Sequence, residues 1–271
     1  MFDVMTQAEN AIDAYNAALK ITSSNIANMN VPGYKKVEAS FQSIFERVLT
    51  QGTSGDANSG GTNPRQLGSG MGISDISLDF SNGELSTGSS LDLAIQGNGL
   101  FIVSADGGAS KLYTRSGNFQ VDSNGNLNSN GLQVYGFDGA GNVVPITGLP
   151  SGVKTDYRWQ ADGTLEYTAD GGTTFTPTGF SIALSYFQNP SGLAQAQGTS
   201  FASTLASGAA ATAQGPGGAA GTLQAGQLEG SNVVYLNETI TALELQRALT
   251  GNLNMIKMAS DLISNFISKL G

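Results

Sequence analysis

The two ends of this chain are written in one code, and the text between them in another. Near the N-terminus Met5, Ile12, Leu19 and Ile26 recur every seventh residue, with Ala8, Tyr15 and Thr22 in the interleaved places. Toward the C-terminus Leu249, Ile256, Ile263 and Leu270 recur in the same way. Leu245, Ala259 and Phe266 interleave with them, and Asn252 is a polar break. Alternating steps of three and four mark the stripe of a helix that packs on other helices. Leu236, Ile240 and Leu243 add a second stripe, and Asn232 stands where an N-cap belongs. Gly251 should cost about 1 kcal/mol relative to alanine. A C-terminal helix of about 38 residues would be roughly 57 Å long. Such helices gain stability by burying the stripe rather than from propensity. The economical arrangement pairs the two ends as an antiparallel hairpin.

The middle of the chain is β text. "LDLAIQGNGLFIV" (91–103) reads as two short apolar strands about a Gly-Asn-Gly turn. "LYTRSGNFQVDSNGNLNSNGLQVYGF" (112–137) alternates apolar and polar residues between Asn124-Gly125 and Asn130-Gly131, both favourable hairpin dipeptides. Asp138-Gly139, Asp162-Gly163 and Asp170-Gly171 mark later turns, and "FSIALSYF" (180–187) is the clearest late strand. Segments 50–72 and 206–226 are rich in Gly, Ser, Ala and Thr and read as connectors. The fold class is therefore α+β. Paired coiled-coil-like terminal helices (1–30 and 231–271) flank extended connectors (31–72 and 204–230) and an inserted antiparallel β domain, sandwich- or barrel-like (73–203).

Composition narrows the function. The formal net charge is −9, which disfavours nucleic acid and anionic membranes as partners. No stretch approaches the ~20 apolar residues of a bilayer span, and no cleavable secretory signal is apparent. The chain has no cysteine and no histidine. Thiol chemistry, Ser-His-Asp catalysis and the usual zinc sites are excluded. "DSNGN" (122–126) looks like the start of a calcium loop, but its twelfth position is Gln133, not glutamate. Asp75, Asp79, Glu84 and Asp92 read as solvated strand ends, and Trp159 as a core anchor. Lys35, Lys36, Arg47 and Arg65 are candidates for intersubunit ion pairs.

The end of the first helix carries the most information. "TSSNIANMNVPGYKK" (22–36) stops a heptad with asparagines, Val31-Pro32 and Gly33, then adds Tyr34 and lysines. Asparagine side chains bond nearby backbone, and the residue before proline disfavours the α region. Residues Ser24, Asn25, Ile26, Ala27, Asn28, Gly33, Tyr34 and Lys35 resemble the N-terminal signature of the bacterial flagellar rod and hook axial proteins. Val31-Pro32 departs from the usual pattern there. "LDLAIQGNGLFIV" and "YTRSGNFQVDSNGNL" are similar to two central motifs of that family, with Leu100 in place of an aromatic. "GQLEGSNVVYLNETITALELQRALTGNLNMIKMASDLI" resembles its C-terminal pattern, including Glu229, Ser231, Asn232, Val233, Gln246 and Arg247. The motifs stand in family order over nearly the whole chain.

The resemblance implies a structural subunit of the flagellar hook–basal body that polymerises into a torque-transmitting tube around the export channel. Its partners would be further copies of itself, other rod, hook and junction proteins, and the export apparatus. It would be exported without a cleaved signal to the periplasm-spanning or extracellular axis. No cofactor, metal or catalytic residue is implied. Subunit contacts are expected through Met5, Ile12, Tyr15, Leu19, Ile26, Leu245, Leu249, Ile256, Ile263, Phe266 and Leu270. Asn25, Ile26, Ala27, Asn28, Pro32, Gly33, Tyr34 and Lys35 would form the junction between inner tube and outer domain. Segment 61–88 looks more like the short hook proteins, so the reading leans to hook, with a distal or proximal rod protein as the alternative. A β-rich adhesin or fibre subunit and a carboxylate-only enzyme are two further classes. Neither accounts for the matching helical ends.

Overall fold

The computed structural model describes residues 2–52, 54, 60–150, 152 and 155–270. The side chains of Arg47, Arg65 and Leu270 lie outside the described residues, as does part of the 50–72 connector. The chain divides into two compact units. One comprises Met1–Ile26, Val37–Ser77 and Tyr235–Gly271, and the other Ala27–Lys36 and Leu78–Val234.

The first unit holds the helices α1 (Phe2–Ala27) and α2 (Tyr235–Leu270) and the two-stranded sheet of β1 (Val37–Thr50) and β2 (Arg65–Leu78). On α1 the fully buried residues are Ala8, Ala11, Ala14, Ala18, Thr22 and Asn25. Met5, Ile12, Tyr15, Leu19 and Ile26, the large members of the sequence stripe, are half-buried beside them. Small residues occupy the innermost line because they allow close approach, and large ones cover its flanks. The Thr22 hydroxyl donates to the Ala18 carbonyl at 3.1 Å, so its burial leaves no orphan.

On α2 the inward residues are Glu238, Ala242, Leu245, Leu249, Asn252, Ile256, Ala259 and Ile263, alternating by four and three. The Asn252 break is satisfied within the helix, its amide donating to the Ala248 carbonyl at 3.0 Å. The helix begins at Tyr235, so Asn232 is not its cap. β2 occupies much of the Gly-rich text expected as a connector. Glycine is a poor strand former, and pairing with β1 overrides its propensity. The ribbon meets α1 where Gln7 Nε2 donates to the Gly68 carbonyl at 2.7 Å and where the Tyr15 and Phe41 rings lie 5.9 Å apart.

The second unit is antiparallel throughout its described strand pairs. Its main sheet runs in the spatial order 156–159, 164–168, 176–182, 132–137, 100–104, 112–114, 200–202, 194–195. The core is built from Phe101, Val103, Phe119, Leu127, Val134, Trp159, Leu165, Ile182 and Leu184 with their neighbours. Trp159 is the anchor expected from the sequence. It is 3% exposed, and its indole N–H donates to the Leu91 carbonyl at 2.8 Å.

The two strands of "LDLAIQGNGLFIV" do not pair with each other. Leu93–Gln96 pairs with Thr222–Ala225, while Leu100–Ser104 joins the main sheet. That pairing draws the Ala/Gly-rich segment 206–226 into this unit. Gln214 and Leu184 exchange backbone hydrogen bonds at 2.8 and 2.9 Å, and Ala220 is fully buried.

Asn130-Gly131 forms the hairpin expected of it, with φ of 50° and 80° and Ser129 opposite Leu132. At Asn124-Gly125 only the glycine has positive φ. The Asp122 carboxylate builds a longer loop there by accepting from the N–H groups of Asn124 and Asn126, each at 2.8 Å. The same chemistry recurs in two exposed loops, "SADGGAS" (104–110) and "TADGGTT" (168–174), where Ser104 and Thr168 donate to Asp106 and Asp170.

The Ser104 hydroxyl bond, helped by the Ser110 N–H, holds the Asp106 carboxyl down to about 2 from an ordinary 3.8. A depressed carboxyl pKa stabilises above the unfolded value, and that contribution disappears as pH falls through the folded one. The 104–110 loop should therefore keep its order at pH 4 and lose it on descent to about 2. A carboxyl-carbon NMR titration checks this. Ser104→Ala should return Asp106 toward 3.8, and an unchanged midpoint would show that the hydroxyl is not the cause.

Candidate functional site

The chain leaves α1 through a built exit. After Ala27 the Asn28 carbonyl accepts from the Val31 N–H at 3.0 Å, and the Val31 carbonyl from the Tyr34 N–H at 3.2 Å. Gly33 follows with φ +69°. A Cβ there would stand 2.3 Å from the Ser116 nitrogen and 2.6 Å from the Arg115 carbonyl carbon. Glycine is thus required twice, by conformation and by contact. The Gly33 N–H donates to the Glu229 backbone carbonyl at 2.9 Å. Tyr34 is buried in its own unit.

Lys35 then enters the interior. Its ammonium donates to Glu229 Oε1 and to the Ser81 carbonyl, both at 2.7 Å, and neither side chain of the ion pair is exposed. Arg115 approaches the other carboxylate oxygen, with Nη1 3.3 Å from Glu229 Oε2. The same Nη1 also reaches Asn82 Oδ1 and the Ile95 carbonyl, Nη2 donates to the Gly97 carbonyl, and Nε is buried without an acceptor among the described residues. The Gly83 N–H completes the carboxylate at 3.0 Å. One buried anion therefore serves two buried cations. Burial pulls Lys35 below its ordinary range, and the Glu229 charge and hydrogen bond oppose that pull. Burial lowers Arg115 as well, against the same opposing charge. Lys35, a candidate for an intersubunit pair, is instead spent inside the subunit.

Two asparagines clasp backbone, one in each unit. In the first unit Asn25 Nδ2 donates to the Val37 carbonyl at 2.9 Å, and its Oδ1 accepts from the Val37 N–H at 3.0 Å. The side-chain amide thereby mimics a ladder partner at the start of β1. The same Nδ2 lies 3.1 Å from Glu238 Oε2 on α2. In the second unit Asn232 Oδ1 accepts from the Lys36 N–H at 2.8 Å, and its Nδ2 donates to the Asp79 carbonyl at 2.8 Å. Pro32 faces a cleft of about 680 Å³ with Asn82 and Asn232. Glu84 is the one titratable residue among its described lining, so the cleft offers no acid–base pair.

The other notable surface belongs to α2. Leu236, Leu243, Leu253, Met255, Met258, Leu262, Phe266 and Ile267 are all exposed. Leu245 is buried, and Leu249, Ile256 and Ile263 are half-buried, while Phe266 is 65% exposed although it continues the same heptad. Among the described residues no helix is long and apolar enough to cross a membrane, and no group of three acidic residues could hold a metal. Asp79 and Asp92 are occupied by Ser81 and Ser89.

The sequence placed Lys35, Arg115 and the Glu229–Asn232 stretch in three separate motifs, and the structure brings them together. Arg115 and Glu229 were not marked as a pair. Their signal was charge of opposite sign at motif centres in a chain with only 12% charged residues.

Comparison with known proteins points to one family. Residues 94–155 match the family described as the flagellar hook protein FlgE/F/G D1 domain, and residues 5–35 match the flagella basal body rod protein family. The flagellar basal-body rod protein FlgG of Bacillus subtilis is 30% identical over 94% of both chains. That of Agrobacterium fabrum is 31% identical over 95% of both. The flagellar hook protein FlgE of Helicobacter pylori is 40% identical, but over 47% of this chain and 18% of its own.

Proposed function

Since this chain belongs to the family of bacterial flagellar rod and hook axial proteins, structural components rather than enzymes, we propose that it is a rod subunit that polymerises through α1 and α2. The rod reading replaces the lean to hook. Rod proteins match this chain end to end, whereas the hook protein matches less than half of it.

The observation that carries the proposal is the α2 surface. A single chain leaves large apolar side chains in water on several sides of its longest helix, from Leu236 to Ile267. Burying such a face yields about 25 cal/mol per Å², and stacking copies head to tail does so without limit unless a ring closes. Within one subunit α1 and α2 form a coiled-coil-like antiparallel pair. In support, Asn25 meets Glu238, while Ala8 and Ala11 line a cleft with Asn252 and Met255. The β body closes sandwich-like on its core. Other rod, hook and junction proteins and the export apparatus are the remaining partners.

Electron microscopy of the purified chain tests this. Under polymerising conditions straight tubes should form, and curved ones would restore the hook reading. Leu262→Asp with Phe266→Asp should leave soluble monomers, because each buried carboxylate would lack a partner. Both residues are exposed, so the monomer's unfolding midpoint should not move. Tubes of normal length from that double variant would sink the proposal.

A further inference from the structure

The chain has no cysteine and no histidine, and its one tryptophan is buried in the core. Methionine sulfur is therefore its most accessible target for two-electron oxidants. Met5, Met29 and Met71 are half-buried. Met255 and Met258 are 46% and 56% exposed, one helical turn apart on α2. Gly251 precedes them on the same line and meets nothing within 4 Å, while Met255 also borders the cleft lined by Ala8 and Ala11. Leu262 and Phe266 continue the line. The two sulfurs thus sit in the middle of the apolar face that assembly has to dry.

We propose that Met255 and Met258 form an oxidation site that gates assembly: a hydroperoxide converts their thioethers to sulfoxides on the free subunit and bars α2 from the polymer. The proposal rests on the axial reading above. In the reaction the sulfur lone pair attacks one peroxide oxygen, the O–O bond breaks and an S–O bond forms. Sulfur loses two electrons, and hydrogen peroxide leaves as water. The flexible apolar side chain becomes a polar one. Its new oxygen needs a hydrogen-bond donor, and Leu262 and Phe266 beside it offer none. Once the face is buried between copies the sulfurs are out of reach, so the gate acts on the unassembled chain.

The test uses the full chain and hydrogen peroxide. Peptide mass spectrometry of treated monomer should show sulfoxide at Met255 and Met258 before Met5, Met29 or Met71. The critical concentration for assembly, read by sedimentation, should rise on the order of tenfold or more. Methionine sulfoxide reductase should restore it. Met255→Leu with Met258→Leu should assemble like the wild type and resist the same dose. Polymer treated after assembly should stay intact and unoxidised at both positions. Oxidised wild type that assembles at an unchanged critical concentration overturns the proposal alone, as does a double-leucine variant blocked equally by peroxide. An untreated chain that never assembles overturns the axial reading and this proposal with it.

Discussion

Glu229→Gln should destabilise the β-rich unit by about 3–5 kcal/mol, the usual consequence of removing one partner from a buried ion pair. The side chain keeps its size and part of its hydrogen bonding, so packing is not the cause. What is lost is the one carboxylate paired with both Lys35 and Arg115, which are essentially unexposed. Truncating a cation is expected to cost less. Lys35→Met leaves Glu229 with Arg115 and the Gly83 N–H. The ordering therefore separates a charge effect from a generic core lesion. Trp159, the only tryptophan, lies in the core of the same unit and reports its unfolding in urea by fluorescence. Equal losses for Glu229→Gln and Lys35→Met would contradict the asymmetry. A loss under about 1 kcal/mol for Glu229→Gln, within the range of an exposed pair, would show that the carboxylate is not buried in solution.

Gly33→Ala is the second large effect. The left-handed conformation costs a residue with a Cβ about 1–2 kcal/mol. The collision with the Ser116 nitrogen at 2.3 Å adds to it, because backbone cannot swing aside as a side chain can. Overpacking of this kind typically costs about 1–3 kcal/mol more, so a total of roughly 2–5 kcal/mol is expected. Gly131→Ala is the control. Its φ is +80°, and nothing lies within 4 Å of the added carbon, so it should show the conformational cost alone. Amide exchange at Gly33 gives an independent readout, since its N–H is held by the Glu229 carbonyl. If the two alanine variants were equally stable, the close approach of the α1 exit to residues 115–116 would be wrong.

What the sequence displayed depended on residue size. The inward line of α2 was legible because Leu245, Leu249, Ile256 and Ile263 are large and periodic. The innermost line of α1 was not, because Ala11, Ala14, Ala18 and Asn25 carry little hydrophobic signal. Asn130-Gly131 gave its turn directly, since both residues take positive φ. Asn124-Gly125 looked alike, but Asp122 two residues earlier supplied a competing acceptor. Asn232 has the composition of a helix cap and holds the backbone of Lys36 and Asp79 instead. The Lys35–Glu229 contact joins residues 194 positions apart, and no local pattern reports a pairing at that distance. Segment 206–226 read as a linker because alanine and glycine are common in linkers. They are also what lets Gly221 pass against Gln96, where an added Cβ would sit 2.3 Å from the carbonyl oxygen.

The span between Lys35 and Glu229 also sets a timetable. Whenever this polypeptide is delivered N-terminus first, through a ribosome or a narrow conduit, its early lysine must wait for a glutamate 194 residues downstream. Until then the exit from the first helix has no lock, and a premature, self-contained fold of the leading portion is denied its keystone. The lock of the junction closes only once both stretches have emerged.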